Sequence, residues 1–112
     1  MQKIQESFSK DIIVQVWEKA TIVSGQDSNK WRKDYADAWI CRSSYGKTTD
    51  GGWEIDHQNP TSNGGTDDLE NLVPLHWKNN RTKSADYPKW QTSITSKKSE
   101  NIEYTQNWEI SE

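Results

Sequence analysis

The sequence predicts a small α+β domain, because helical and strand periodicities occur in separate short segments. Apolar residues recur at helical spacing from Ile12 to Ala20, whereas apolar and polar residues alternate from Trp53 to His57. The length of 112 residues fits a single domain, which we expect to span residues 1–112.

The composition predicts a core built largely from aromatic rings. Only 17 of the 112 residues are Ile, Val, Leu or Phe, a fraction at which disorder is suspected. Seven Trp, four Tyr and a net charge of only -3 argue against disorder, since each aromatic ring can bury about 150–250 Å². We therefore expect a modest core that is rich in aromatic side chains.

Several protein classes are excluded by the same sequence. No apolar run approaches the roughly 20 residues of a membrane helix, and polar residues interrupt residues 1–17, so no signal peptide is predicted. The single cysteine, Cys41, excludes an intrachain disulfide and a zinc site built on cysteine pairs. We expect a cytoplasmic protein that does not enter a membrane.

The N-terminal part of the domain is expected to form one helix and one strand. Ser9 is a suitable N-cap for a helix over about residues 10–20. The helix dipole favours an acidic side chain in the first turn, where Asp11 lies. A loop follows, and residues 38–43 are expected to form a short strand.

The second half of the chain is expected to form two strands and a helix. A strand at Trp53–His57 is followed by a polar loop with glycine and proline breakers, and then by a strand over residues 71–75. Residues 76–84 are typical of a short helix that ends before Pro88. In the tail, residues 91–112, Ile102 and Tyr104 alternate, which indicates an edge strand.

The chemistry is concentrated in residues 53–84, which read as strand, long loop, strand and helix. Asp56 and His57 lie side by side at the end of the first strand. Neighbouring residues of a strand point to opposite faces, so this pair can flank a substrate but cannot ligate one metal together. The helix brings the amide of Asn80 towards the same place.

These residues resemble the HNH (His-Asn-His) endonucleases of the ββα-metal, or His-Me finger, nuclease superfamily, in their small bacterial and phage form. Asn71 lies 14 residues after His57, and Asn80 lies 23 residues after it, inside a basic helix. Gly64-Gly65 and Asp67-Asp68-Leu69 fill the loop between them. The resemblance covers residues 53–83, and a weaker likeness extends upstream.

The resemblance implies a ββα-metal core with an N-terminal helix and short flanking strands. It implies a metal-dependent endonuclease that hydrolyses DNA and leaves a 5′-phosphate and a 3′-hydroxyl. His57 would activate the attacking water. Asp56 and Asn80 would hold one divalent cation, Mg²⁺ or Mn²⁺, because both offer oxygen ligands. Asn71 would fix the loop and thereby hold His57.

Other polar residues of this stretch are further candidates. Glu54 is a candidate to bind the metal through a water on it, and His76 is a candidate for a further metal ligand or a phosphate contact. Three cations of the helix are candidates for phosphate contacts: Lys78, Arg81 and Lys83. Asn79 and Asn80 point about 100° apart on a helix, so only one faces the metal. The family spacing favours Asn80.

The charge distribution is consistent with a nucleic-acid partner. Residues 76–98 carry a local excess of +5 and residues 30–47 one of +3, which the overall charge of -3 conceals. Many HNH proteins hold a structural zinc on cysteine pairs that this chain lacks. We expect four tryptophans to supply packing instead: Trp17, Trp53, Trp77 and Trp90.

Two other functions stay open from the sequence. One is a non-catalytic nucleic-acid-binding module on the same scaffold. The other is a nuclease toxin or defence effector that needs a partner protein. RNA stays open as a substrate, and so does a homodimer, because one active site cuts one strand.

Overall fold

A computed structural model describes residues 7–111 of the chain. Within that range, two α-helices and three antiparallel strand pairs confirm the α+β class. In chain order the elements are α1 (Lys10–Trp17), β1 (Trp31–Lys33), β2 (Trp39–Cys41), β3 (Trp53–His57), β4 (Leu72–His76), α2 (Trp77–Lys83), β5 (Lys89–Lys97) and β6 (Glu100–Glu109). Each strand pairs with its neighbour in sequence: β1 with β2, β3 with β4, and β5 with β6.

Helix α1 begins where the sequence predicts. The Ser9 hydroxyl accepts a hydrogen bond from the backbone N–H of Ile12 at 3.2 Å. The helix ends at Trp17, three residues before the predicted end, because the chain tightens there into 3₁₀-type bonds such as Ala20 N–H to the Trp17 carbonyl. Thr21 then pairs with Lys33 of β1, which turns the chain away from the helix axis.

The hairpin β3–β4 and helix α2 follow the predicted order. Strand β3 has the predicted bounds, and β4 begins one residue later than expected. The register pairs Trp53 with His76 and His57 with Leu72. His76 is the N-cap of α2 instead of its first helical residue, and the helix ends at Lys83 because Ser84 takes a positive φ of 53°.

The connection between β1 and β2 is tied to the β4–α2 junction by one buried carboxylate. Asp34 Oδ1 accepts from the backbone N–H groups of Ala36 and Ala38 at 3.0 and 2.9 Å. Its Oδ2 accepts from the backbone N–H of His76 at 2.9 Å and from Asn79 Nδ2 at 3.1 Å.

The prediction of a strand over residues 38–43 is confirmed for its centre, whereas β1 was not predicted.

The C-terminal tail contains the strand predicted around Ile102 and Tyr104, which is β6, together with a second strand, β5, that was not predicted. Its residues form a long hairpin of two paired strands, β5 and β6. Strand β5 packs on α2 through Asn79, whose Oδ1 accepts from the backbone N–H groups of Ser93 and Ile94. The hydropathy of the sequence does not reveal strand β5, because its buried positions are few and one of them is a threonine, Thr92.

The main core joins α1 to the β3–β4 hairpin. Trp17 and Trp53 are almost fully buried, with ring centroids 5.5 Å apart, and Tyr45 packs edge-on against Trp53 at 4.9 Å. The expected aromatic packing is therefore present at these positions and at Trp90, whereas Trp77 is only half-buried on the outer side of α2. No helix in residues 7–111 is long and apolar enough to cross a membrane.

Candidate active site

Strand β3 presents its polar residues on two faces. Glu54 and Asp56, two residues apart, are buried against α2, with 6% and 1% of their surfaces exposed. His57 points to the other face, where its ring lies 6.1 Å from that of Phe8. The alternation of a strand thus separates the carboxylates from the imidazole, as the sequence predicts.

Asp56 is paired with a lysine inside the protein. The Lys83 ammonium lies 3.2 Å from Asp56 Oδ2, and both side chains have 0% of their surface exposed. The same ammonium donates to the carbonyls of His57 and Gln58 at 3.3 and 3.1 Å. The prediction that Lys83 contacts a nucleic-acid phosphate is wrong, because its ammonium is buried beside Asp56.

Asn80 lies on the same face of β3 as Asp56. Its Nδ2 donates to Glu54 Oε1 at 2.9 Å, and the second oxygen of that carboxylate lies 3.4 Å from Arg81 Nη2. Asn79 instead faces Asp34 and β5. The structure therefore brings Asn80, and not Asn79, to the carboxylates of β3, and places Glu54 where it fixes the Asn80 amide.

The His57 imidazole has a carboxylate partner in the loop. Its Nε2 lies 2.6 Å from Asp67 Oδ1, with 14% of the histidine side chain and 67% of the aspartate side chain exposed. In the tautomer with the proton on Nε2, that N–H donates to Asp67 and the basic lone pair is on Nδ1. In that tautomer Nδ1 is the ring nitrogen with the lone pair that accepts a proton.

Asn71 closes the loop that follows His57. Its Oδ1 accepts from the backbone N–H of Asn59 at 2.9 Å, and its Nδ2 donates to the carbonyls of Asn59 and Thr66 at 3.0 and 2.8 Å. The Asn71 carbonyl also accepts from the backbone N–H of Gln58. One amide therefore joins both ends of the loop next to His57, the arrangement expected of a loop-fixing residue.

His76 is a structural residue in this fold, which corrects its candidacy as a metal ligand. Its Nδ1 accepts from the backbone N–H of Lys78 at 3.1 Å, and its Nε2 donates to the Asp50 carbonyl at 2.8 Å. Burial lowers the pKa of the ring below the usual value, which favours the neutral form that this pairing needs. Both ring nitrogens are engaged with backbone.

Two side chains of this face carry oxygen atoms of the type that a hard divalent cation prefers. Asp56 offers a carboxylate and Asn80 an amide oxygen from two elements in contact, and oxygen ligands suit Mg²⁺ or Mn²⁺. Residues 7–111 contain no group of three or more His, Cys, Asp or Glu side chains placed to hold a metal.

The outer side of α2 combines cations with an aromatic ring. Lys78 Nζ and the Arg81 guanidinium lie 5.4 and 5.1 Å from the centroid of the Trp77 ring. Lys78 is exposed, and 34% of the Arg81 side chain is exposed. Two of the three predicted phosphate-contacting cations thus lie on the surface beside Asn80.

Two carboxylates of this region were not identified as site residues from the sequence. Asp67 is one of the loop residues of the family pattern, and only the folded loop shows that it reaches His57. Asp34 lies outside the stretch that carries the resemblance, and its one sequence signal is its place before the turn that it caps.

Comparison with known proteins matches one segment of this chain to a family. The family model for HNH endonucleases matches residues 40–86, a segment that runs from β2 to just beyond α2. No match is found among curated proteins or solved structures. The matched segment contains the strand pair β3–β4, the loop and helix α2, and the match supports membership of the HNH endonuclease family, whose members act on nucleic acids.

Proposed function

We propose that this protein is a metal-dependent endonuclease that hydrolyses phosphodiester bonds in DNA through a ββα-metal core. The observation that carries the proposal is the arrangement around the end of β3. Asp56 and His57 are adjacent in β3 and their side chains point to opposite faces of the strand. Helix α2 brings Asn80 to the face on which Asp56 lies. A scaffold that only bound nucleic acid would have no need of an imidazole oriented by a carboxylate.

The base in this mechanism is His57. Asp67 holds the Nε2–H, so Nδ1 takes the proton from a water molecule. The water oxygen bonds to phosphorus as the bond from phosphorus to the 3′ oxygen breaks. The products are a 5′-phosphate and, after the 3′ oxygen gains a proton, a 3′-hydroxyl. Asn71 keeps the loop, and with it Asp67 and His57, in this arrangement.

Asp56 and Asn80 would hold the divalent cation. When bound, the ion supplies positive charge that stabilises the phosphate and the departing 3′ oxygen. Glu54 contributes by holding the Asn80 amide through its Nδ2, which directs the amide group relative to β3.

Lys78 and Arg81 would contact the phosphates of the substrate. Both cations lie on the exposed side of the helix that carries Asn80, and phosphate contacts orient a nuclease on its substrate without reading sequence. With one such site in each chain, a double-strand break would need a homodimer or two separate cleavages.

The test is incubation of the purified chain with supercoiled plasmid in Mg²⁺, Mn²⁺ or EDTA, beside the variant His57→Ala. We expect nicking in either metal, none in EDTA, and a loss of about 10²–10⁴-fold in H57A with DNA retention intact. Undiminished cleavage by H57A would exclude the proposed base. Retention of DNA without cleavage by the unaltered chain would instead favour the non-catalytic binding module, and cleavage of RNA alone would reassign the substrate.

A further inference from the structure

The pairing of Lys83 with Asp56 connects the two halves of the proposed site. The ammonium is within 3.2 Å of the carboxylate on one side of β3 and within 3.3 Å of the carbonyl of His57. A third contact reaches the Gln58 carbonyl at 3.1 Å, and the Trp90 ring of β5 covers the ammonium at 5.2 Å. One cation therefore contacts the candidate metal ligand and the backbone of the candidate base.

The burial of this pair shows that it is a specific arrangement. A lysine and an aspartate with no exposed side-chain surface have both lost their hydration, which is costly unless each charge is paired and hydrogen-bonded. Removal of one partner would leave the other charge buried and uncompensated. Asp56 therefore has a compensating charge supplied by the chain itself.

We propose that Lys83 is a positioning residue that holds the Asp56 carboxylate and the backbone of His57 in one fixed arrangement before an ion binds. This inference rests on the proposed function, since it assigns Lys83 a role towards Asp56 and His57. It has two consequences. The site is preformed in the metal-free protein, and the ammonium beside Asp56 disfavours the binding of more than one divalent cation there.

The experiment is a double-variant cycle between Lys83→Met and Asp56→Asn, followed by thermal unfolding with and without MnCl₂. We expect K83M to lower the midpoint by about 10 °C or more, because it leaves a buried carboxylate uncompensated. The D56N/K83M double variant should recover most of that loss, since it removes both charges. Lys97→Met, an exposed lysine of the hairpin, is the matched control and should leave the midpoint unchanged.

The response to Mn²⁺ distinguishes a role towards the metal ligand from a purely structural one. Mn²⁺ should raise the midpoint of K83M more than that of the unaltered protein, because the ion replaces the missing positive charge, and this response should vanish in D56N/K83M. At saturating Mn²⁺, K83M should still cleave DNA about 100-fold more slowly than the unaltered protein, since the His57 carbonyl has lost its hydrogen bond from Lys83.

Two results would overturn the proposal. In the first, K83M lowers the unfolding midpoint as much in the D56N variant as in the unaltered protein. Failure of both K83M and D56N/K83M to fold counts as this result. The other is a K83M midpoint no more sensitive to Mn²⁺ than that of the unaltered protein. The cycle without metal uses no DNA, so its outcome is independent of whether the nuclease assay succeeds.

Discussion

Asp67 Oδ1 lies 2.6 Å from His57 Nε2, which joins a loop residue to the imidazole at the end of β3. The aspartate side chain is two-thirds exposed, so this pair contributes little to the stability of the fold. Its effect is to select one tautomer and one ring orientation of His57, which is what the proposed proton transfer through Nδ1 requires.

Asp67→Ala should therefore reduce cleavage by about 10-fold or more, since a general base contributes about 10²–10⁴-fold and depends on its orientation. The unfolding midpoint should change little. The matched control is Asp68→Ala, which removes the neighbouring carboxylate that bonds to Thr66 and not to His57. Plasmid nicking rates under single-turnover conditions give the comparison, and equal rates for D67A and D68A would contradict an orienting role.

The parts of this region that the sequence predicts are those governed by local periodicity. The alternation from Trp53 to His57 predicts both bounds of β3 and the separation of Asp56 from His57. The position of Asn80 relative to Asn79 also follows, because residues one apart on a helix face different neighbours. The remaining features depend on contacts between distant segments, such as the approach of Asp67 to His57.

The burial of Lys83 is consistent with a local feature of the sequence. Asn80 and Lys83 are three residues apart, so they share one face of α2, and a helix that turns Asn80 to β3 turns Lys83 there too. Lysine is almost always exposed, so the burial of Lys83 goes against the general preference of this residue type. Strand β5 was not predicted for another reason: only three positions of the β5–β6 hairpin are buried, Trp90, Thr92 and Ile94, so few side chains reveal a period.

Asn71→Asp should be at least as harmful as Asn71→Ala. The Asn71 amide donates to two carbonyls and accepts from one N–H, and a carboxylate can only accept. Two carbonyl oxygens would then face a negative charge, and we expect a loss of about 2 kcal/mol in the free energy of unfolding. Chemical denaturation measures it, and a smaller loss in N71D than in N71A would show that the accepted bond alone fixes the loop.

Arg81→Ala and Lys78→Ala should each weaken DNA binding about uniformly across sequences. If each cation neutralises one phosphate, the slope of log K against log[salt] should fall by about 1 in magnitude. Lys97→Ala, an exposed lysine on the C-terminal hairpin, serves as the control. Fluorescence anisotropy at several salt concentrations with two unrelated duplexes gives these slopes. A change of sequence preference without a change of slope would show that the side chain reads bases.

Asp34 should make the stability of the fold depend on pH. Burial raises the pKa of this carboxyl to about 6, although four hydrogen-bond donors act to lower it. A folded-state pKa above the unfolded value contributes stability that is present below about pH 4 and is lost as the pH rises through about 6. For a shift of this size the change is about 3 kcal/mol.

Other carboxylates titrate in the same range, so the measurement must isolate Asp34. The variant Asp34→Asn has no titration at this position, and it is less stable because its amide nitrogen faces the donors of His76 and Asn79. The difference in free energy of unfolding between the unaltered protein and D34N should therefore widen as the pH is lowered from 7 to 4. A difference that stays constant or narrows would show that the four donors, and not burial, dominate the ionisation of Asp34.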